Sequence, residues 1–206
     1  MKGGGKTALI VDFGGVLTTS IWPAFAAFCE GEGLEPDAVR ELFKSNPAAL
    51  ADLRELEKGT VSPEEFEVRF ARHLGIPERA DGLIGRLFGG LEPDEEMIGA
   101  VRTVRAAGRS TGLISNSWGR ANYDERLIDE LFDAVVISGD VGLHKPQPEI
   151  FELACERLGV APAQCVFVDD LRENCAGAEA VGMAAVLHRD SSETVARLGK
   201  HLGVEL

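Results

Sequence analysis

The sequence predicts an α/β protein, a doubly wound parallel sheet with an inserted helical cap. Two observations predict the sheet and a third predicts the insertion. Four short apolar runs each end abruptly in polar residues, and amphipathic stretches with helical spacing separate the later runs. Between the first run and the second lie about ninety residues with no convincing strand, far more than one crossover helix requires.

The first run, Ala8 to Val11, leads into Asp12 within Ala8-Leu9-Ile10-Val11-Asp12-Phe13-Gly14-Gly15-Val16-Leu17-Thr18. In an open parallel sheet, ligands bind outside the carboxyl ends of the strands, so Asp12 is a functional candidate by position alone. Amphipathic runs follow from Ile21 to Glu30, Pro36 to Lys44, Ala48 to Lys58, Pro63 to Leu74 and Arg79 to Phe88. Breakers such as Asn46-Pro47, Gly59-Thr60-Val61-Ser62-Pro63 and Gly75-Ile76-Pro77 separate them, which describes a small helical bundle. It is expected to sit as a lid over the edge where the strand-end acids emerge. Trp22 and Phe25, in its first helix, read as an apolar stripe facing a core.

After the insertion, Pro93 to Ala107 has helical spacing at Met97, Ile98, Val101 and Val104, and Thr111 to Ile114 reads as a strand ending at Ser115 and Asn116. Ala134 to Ile137, before Ser138 and Asp140, is the next strand, and Pro148 to Leu158 the next helix. Cys165 to Val168 then delivers Asp169 and Asp170, followed by an alanine-rich helix from Leu171 to Val181. A fifth strand from Ala184 to Leu187 and a helix near Glu193 to Leu202 complete the doubly wound pattern. The domain division expected is 1–18 and 92–206 for the α/β core and 19–91 for the cap.

At 206 residues the chain is long enough for one well-cored domain carrying a smaller insertion. The 34 acidic against 21 basic residues give a net charge of -13, which repels phosphate backbones and anionic lipid. Nucleic acid and membrane are therefore not expected as partners, and no run approaches the roughly 18 apolar residues of a membrane span. A phosphorylated substrate would need local cations to reverse the same field. Cys29, Cys155, Cys165 and Cys175 form no zinc pattern, and reduced thiols in a cytoplasm fit best, with Cys165 in the core. The opening residues run directly into a strand without the apolar segment of an export signal. Gly3-Gly4-Gly5-Lys6-Thr7 resembles a phosphate-binding loop only briefly, because it precedes a strand where such a loop follows one.

If the strands are neighbours, Asp12, Asp169 and Asp170 meet at one edge. Three carboxylates cannot share a small volume ionised without a cation, since each raises the pKa of the others. A hard divalent ion with oxygen ligands, Mg²⁺ above all, resolves the conflict. Lys145, in Gly142-Leu143-His144-Lys145-Pro146, and the Ser115 hydroxyl add positive charge and a donor. Acids, metal, lysine and hydroxyl at one edge suit phosphoryl transfer, where catalysis is mostly positioning and charge stabilisation. Ser115 and Asn116 also suit a simple turn, Lys145 a solvated loop, and Asp12 a cap.

The chain resembles the haloacid dehalogenase-like (HAD) superfamily over nearly its whole length. VDFGGVLT matches the nucleophile motif, GLISNS the Ser/Thr motif, GDVGLHKPQPEIF the lysine motif and VFVDDLRENCAGAEAVGM the acidic motif. The subgroup it looks most like has a small helical cap and includes the phosphatase domain of soluble epoxide hydrolases and sugar-phosphate phosphatases. The resemblance implies a HAD-like Rossmannoid core and an enzyme that hydrolyses small phosphorylated metabolites. It makes Asp12 the nucleophile that forms an aspartyl-phosphate, with Ser115 and the backbone or side chain of Asn116 binding the phosphoryl oxygens. Lys145 would neutralise charge on Asp12 and the phosphate. Asp12, the carbonyl of Gly14, Asp170 and Asp169, directly or through water, would hold Mg²⁺, and Asn174 would orient a ligand. A homodimer is the assembly considered.

Gly14 departs from the pattern, because phosphatases of this superfamily usually carry a second Asp there as general acid and then base. Its loss removes help worth about 10² to 10⁴-fold. The sequence leaves open leaving groups that need little protonation, a donor elsewhere with His144 and cap residues as candidates, or a chain that has lost most activity. His144 reads as a bystander, and Trp118 and Arg120 as packing or substrate-facing residues. Competing functions are a metal-independent 2-haloacid dehalogenase, which the pair Asp169-Asp170 argues against, and a catalytically silent HAD-fold binding protein.

Overall fold

The computed structural model describes residues 6–116 and 123–206. Trp118, Arg120 and Gly3 to Gly5 lie outside these residues. Strands β1 (Ala8–Val11), β2 (Ser110–Ser115), β3 (Ala134–Ile137), β4 (Cys165–Asp169) and β5 (Ala184–Leu187) form one parallel sheet in the order β3-β2-β1-β4-β5. The chain travels outward from β1 to β3 and then crosses back to β4. That reversal places a topological switch point beside β1, where a crevice opens at the carboxyl ends.

The pleat explains the unbroken apolar runs. Leu9 and Val11 face one layer of helices, while Ala8 and Ile10 face the other. The first layer contains α6 (Glu95–Ala106), α7 (Glu125–Leu131) and α11 (Ser191–Leu202), contributing Val101, Val104, Leu131, Leu198 and Leu202. The second contains α9 (Pro148–Leu158) and α10 (Arg172–Ala180), contributing Ile150, Phe151, Ala154 and Ala178. Asp94 starts α6 by accepting from the Met97 N–H at 2.9 Å, and its other oxygen accepts from the Ser191 hydroxyl of α11.

Between β1 and α6 the chain forms five helices, α1 (Ile21–Gly31), α2 (Ala38–Ser45), α3 (Pro47–Glu57), α4 (Pro63–Leu74) and α5 (Leu83–Phe88). They bury a separate apolar cluster that includes Phe25, Phe28, Leu56, Phe66, Phe70 and Leu87. The expected starts are visible in the chemistry. Asn46 accepts from Ala48 and Ala49 before Pro47, and Ser62 accepts from Glu65 before Pro63. The two connections to the sheet run side by side, with the Thr19 N–H donating to Glu92 O and the Asp94 N–H to Leu17 O.

Three elements differ from the sequence expectation. The run from Arg79 to Phe88 is not one helix: Gly82 adopts φ +64°, so a 3-10 turn at Pro77–Arg79 and α5 are separate pieces. Two helices, α7 and α8 (Ser138–Val141), were absent from the pattern because one or two turns are too short to establish a helical period. All five predicted strands are present.

α10 crosses the 142–147 segment at Gly177. A Cβ added there would lie 2.7 Å from the Pro146 carbonyl oxygen and 3.0 Å from Phe151 Cε2. Backbone on one side and a buried ring on the other leave little room to relax. Gly177→Ala is therefore expected to destabilise the fold by about 1–3 kcal/mol, overriding the helix-propensity gain of about 1 kcal/mol. Urea unfolding checks this, and an unchanged or raised midpoint would refute the tight crossing.

Candidate active site

β1, β2 and β4 end side by side. Val11 pairs with both Leu113 and Val168, which brings Asp12 level with Asp169 and leaves Ser115 just beyond. The Asp12 N–H donates to the Val168 carbonyl at 2.9 Å and so fixes the strand end. Lys145 Nζ then donates to Asp12 Oδ1 and to Asp169 Oδ2, both at 2.7 Å. All three groups are buried, Asp169 completely.

Lys145 is held from behind. Asn116 Oδ1 accepts the Lys145 N–H at 2.9 Å, and Asn116 Nδ2 donates to the Lys145 carbonyl at 3.2 Å. The Asn116 side chain is thus engaged with the lysine backbone. Ser115 Oγ accepts a 2.8 Å bond from the Tyr123 hydroxyl, leaving the serine proton to donate elsewhere. The adjacent acids differ. Asp169 accepts from Lys145, from the Leu171 N–H at 2.8 Å and from Asn174 Nδ2 at 3.0 and 3.1 Å, whereas Asp170 lines the open cavity.

Burial lifts the Asp12 carboxyl to about 7 against the pull of Lys145, with the Asp169 charge adding to the rise. Burial likewise raises Asp170 to about 6, again reinforced by Asp169. Although burial disfavours the ammonium, Asp12 and Asp169 hold Lys145 above the ordinary lysine range. Asp12, Asp169 and Asp170 each offer a carboxylate oxygen within 4.8 Å of the others. With all three carboxylates ionised, one ammonium leaves two negative charges uncompensated, and an all-oxygen donor set suits one hard divalent cation.

Two neighbouring glycines have opposite reasons to be there. Gly15 has φ +73°, and an added Cβ would lie 2.8 Å from Asp170 Oδ2, so the turn after β1 needs glycine to pass the acid. Gly14 has no such demand, because its added Cβ would meet only Ile21 Cγ2, at an ordinary 3.7 Å.

The cavity of about 520 Å³ lies between the sheet edge and the inserted helices. Asp12, Ser115, Asn116, Lys145 and Asp170 line it at one end, and Phe13, Leu17, Phe88 and Leu127 form apolar walls. Trp22 also lines it, contrary to the expectation that it packs in a core with Phe25. Phe25 is buried, but Trp22 remains 36% exposed with the Arg40 guanidinium 4.8 Å over its ring. His144 is not among the lining residues.

Sequence reasoning did not find Tyr123, Gly15 or Glu57, which lines the cavity from α3. The double glycine was a usable signal for the positive φ at Gly15. Glu57 stands in the charged run Arg54-Glu55-Leu56-Glu57-Lys58, where nothing distinguishes it from a solvated residue.

A family model described as haloacid dehalogenase-like hydrolase matches residues 6–182. The chain is 32% identical to bifunctional epoxide hydrolase 2 of Sus scrofa over 157 residues, which are 73% of this chain but only 26% of that protein. It is 30% identical to glyceraldehyde 3-phosphate phosphatase of Methanopyrus kandleri over 167 residues, covering 75% of this chain and 69% of that one. The fold also matches a HAD family enzyme of Bacteroides thetaiotaomicron, solved with magnesium and inorganic phosphate. That match has a TM-score of 0.67 at 22% identity and covers 90% and 95% of the two chains.

The buried Asp12 carboxyl makes stability depend on pH in a defined direction. A carboxyl raised from 3.8 unfolded to about 7 folded contributes stability that is fully present below 3.8 and lost as pH rises through 7. Removing Lys145 raises that carboxyl further. Lys145→Met is expected to cost about 3–5 kcal/mol at pH 8, where two buried carboxylates lose their cation, and less at pH 5, where Asp12 takes up a proton. Urea unfolding of the metal-free protein at both pH values tests this, and an equal deficit at each would contradict it.

Proposed function

Because the chain belongs to the haloacid dehalogenase-like hydrolase family, we propose that it is a Mg²⁺-dependent phosphatase of small phosphorylated metabolites working through an aspartyl-phosphate on Asp12. The observation that carries this reading is the convergence of Asp12, Ser115, Lys145 and Asp170 on one cavity, with Asp169 directly behind. The phosphatase relative and the neighbour holding magnesium and phosphate support it.

Asp12 attacks phosphorus, and water then hydrolyses the acyl phosphate. Lys145 offsets charge on Asp12 and on the transferring group, and Asn116 positions Lys145 through its backbone. Ser115, whose oxygen already accepts from Tyr123, is oriented to donate its proton to a phosphoryl oxygen. Asp12, Asp170 and the carbonyl of Gly14 would hold the metal, with Asp169 fixed by Lys145 and Asn174 and acting directly or through water. When bound, Mg²⁺ supplies charge neutralisation for the phosphate in a protein of net charge -13.

Residues 1–18 and 92–206 form the catalytic core in this reading, and 19–91 the cap that excludes water and selects substrate. The apolar walls favour a substrate with an apolar body next to its phosphate. Among the described residues no helix is long and apolar enough to cross a membrane, and four buried free cysteines agree with a cytoplasmic setting. The acid pair weighs against a dehalogenase, which needs no metal-binding acids.

Asp12→Asn is expected to lower phosphate release from acyl, aryl, sugar and nucleotide monophosphates by at least about 1000-fold. EDTA should abolish the wild-type activity and added Mg²⁺ restore it. Unchanged turnover in the Asn variant would remove Asp12 as nucleophile. EDTA-insensitive halide release from a 2-haloacid would instead establish the dehalogenase.

A further inference from the structure

We propose that Glu57 is the general acid and base of the reaction, supplying from the inserted helices the proton that no side chain at position 14 can supply. The inference rests on the phosphatase reading above and adds to it a residue and a role.

Glu57 is the last residue of α3 and lines the same cavity as Asp12, Gly14, Ser115 and Lys145. Its neighbour Leu56 faces the apolar cluster of the inserted helices, so the two side chains divide between packing and cavity. Their placement is fixed by a contact between two glycines. Gly59 turns the chain at φ +67°, and an added Cβ would lie 2.5 Å from the carbonyl oxygen of Gly139 in α8. Only glycine permits that approach, which seats the end of α3 directly on the sheet domain. The Thr60 N–H and hydroxyl both donate to Glu55 O, at 2.9 and 3.0 Å, and close the turn.

The environment suits proton transfer. Burial pushes the Glu57 carboxyl up to about 7, while the Lys145 ammonium and Arg54 pull the other way. Near neutral pH both protonation states are accessible, as an acid that must later act as a base requires. Glycine at position 14 carries no side chain, so Glu57 has no competing acid from that position.

In the first step an Asp12 oxygen bonds to phosphorus as the bond to the leaving oxygen breaks, and the Glu57 proton passes to that oxygen, releasing an alcohol. In the second, water bonds to phosphorus, its proton passes to the Glu57 carboxylate, and the bond to Asp12 breaks. Phosphate leaves with both side chains restored.

The test is Glu57→Gln, nearly isosteric, assayed on phosphates whose leaving groups run from nitrophenols to simple alcohols. The quantity kcat/KM, which reports transfer to Asp12, is expected to fall by about 10²–10⁴-fold for alkyl phosphates and by less than about 10-fold for nitrophenyl phosphate. With nitrophenyl phosphate, kcat should still drop and a burst of nitrophenol appear as aspartyl-phosphate accumulates. Glu57→Gln combined with Gly14→Asp should recover alkyl phosphate turnover. An equal loss across all leaving groups, or no loss, in a protein whose wild type hydrolyses them would overturn the role of Glu57 and leave the phosphatase reading intact. A wild type that releases phosphate from none of them would overturn the phosphatase reading itself.

Discussion

The Lys145 ammonium, 2.7 Å from both Asp12 and Asp169, is the interaction on which the rest of the site depends. Two carboxylates at adjacent strand ends would repel in a nearly dry environment, and one cation between them makes the arrangement tenable. Holding that cation demands support from several elements. Asn116 at the end of β2 binds its backbone on both sides, and Gly177 in α10 lets the following Pro146 lie close against the helix. The strand order supplies the remaining condition, because only with β1 between β2 and β4 do Asp12, Asn116 and Asp169 share one edge.

With the pair neutralised only in part, the site retains a use for further positive charge. Asp169 has its oxygens occupied by Lys145, Asn174 and the Leu171 N–H, so it acts as the fixed centre of the network. Asp170, one residue on, points into the cavity and keeps a raised carboxyl whose charge a cation would stabilise. Two identical side chains in sequence therefore differ because one ends a strand inside the network and the other begins the following turn. The two glycines opposite them divide in the same way: Gly15 gives Asp170 room, and Gly14 would admit a Cβ without a clash.

The sheet and the acid edge were legible in the sequence because their signals are local. A buried parallel strand is an apolar run, and a strand-end Asp is visible where the run stops. The five strands, Asp12 and the pair Asp169-Asp170 could all be found this way, whereas Lys145 lies in a loop and was found only through its motif. Contacts made across the fold were not legible. The hold of Asn116 on Lys145 joins residues 29 positions apart, and the Tyr123 hydroxyl reaches Ser115 from beyond the strand. Trp22 carried a misleading signal: its helical spacing with Phe25 reads as one stripe, but that stripe straddles the boundary between cluster and cavity. Glu57 gave no signal at all, since it stands in a charged run and reaches the cavity only through the packing of α3 on the sheet domain, which no periodicity encodes.

A carboxyl on α3 differs in kind from one on the turn after β1. An acid at position 14 would be held by the same backbone that carries the nucleophile, and its distance from phosphorus would follow from local geometry. Glu57 reaches the cavity through an interface, the seat of Gly59 on Gly139, so its position depends on how the inserted helices pack on the sheet. The same helices supply Trp22 and Phe88 to the cavity wall. A leaving group that fills that wall and a proton donor that serves the leaving oxygen would then be set by one body, which couples the choice of substrate to the chemistry performed on it. With glycine at position 14 and Glu57 in the role proposed for it, proton transfer depends on the packing of α3 on α8 and not on the turn after β1.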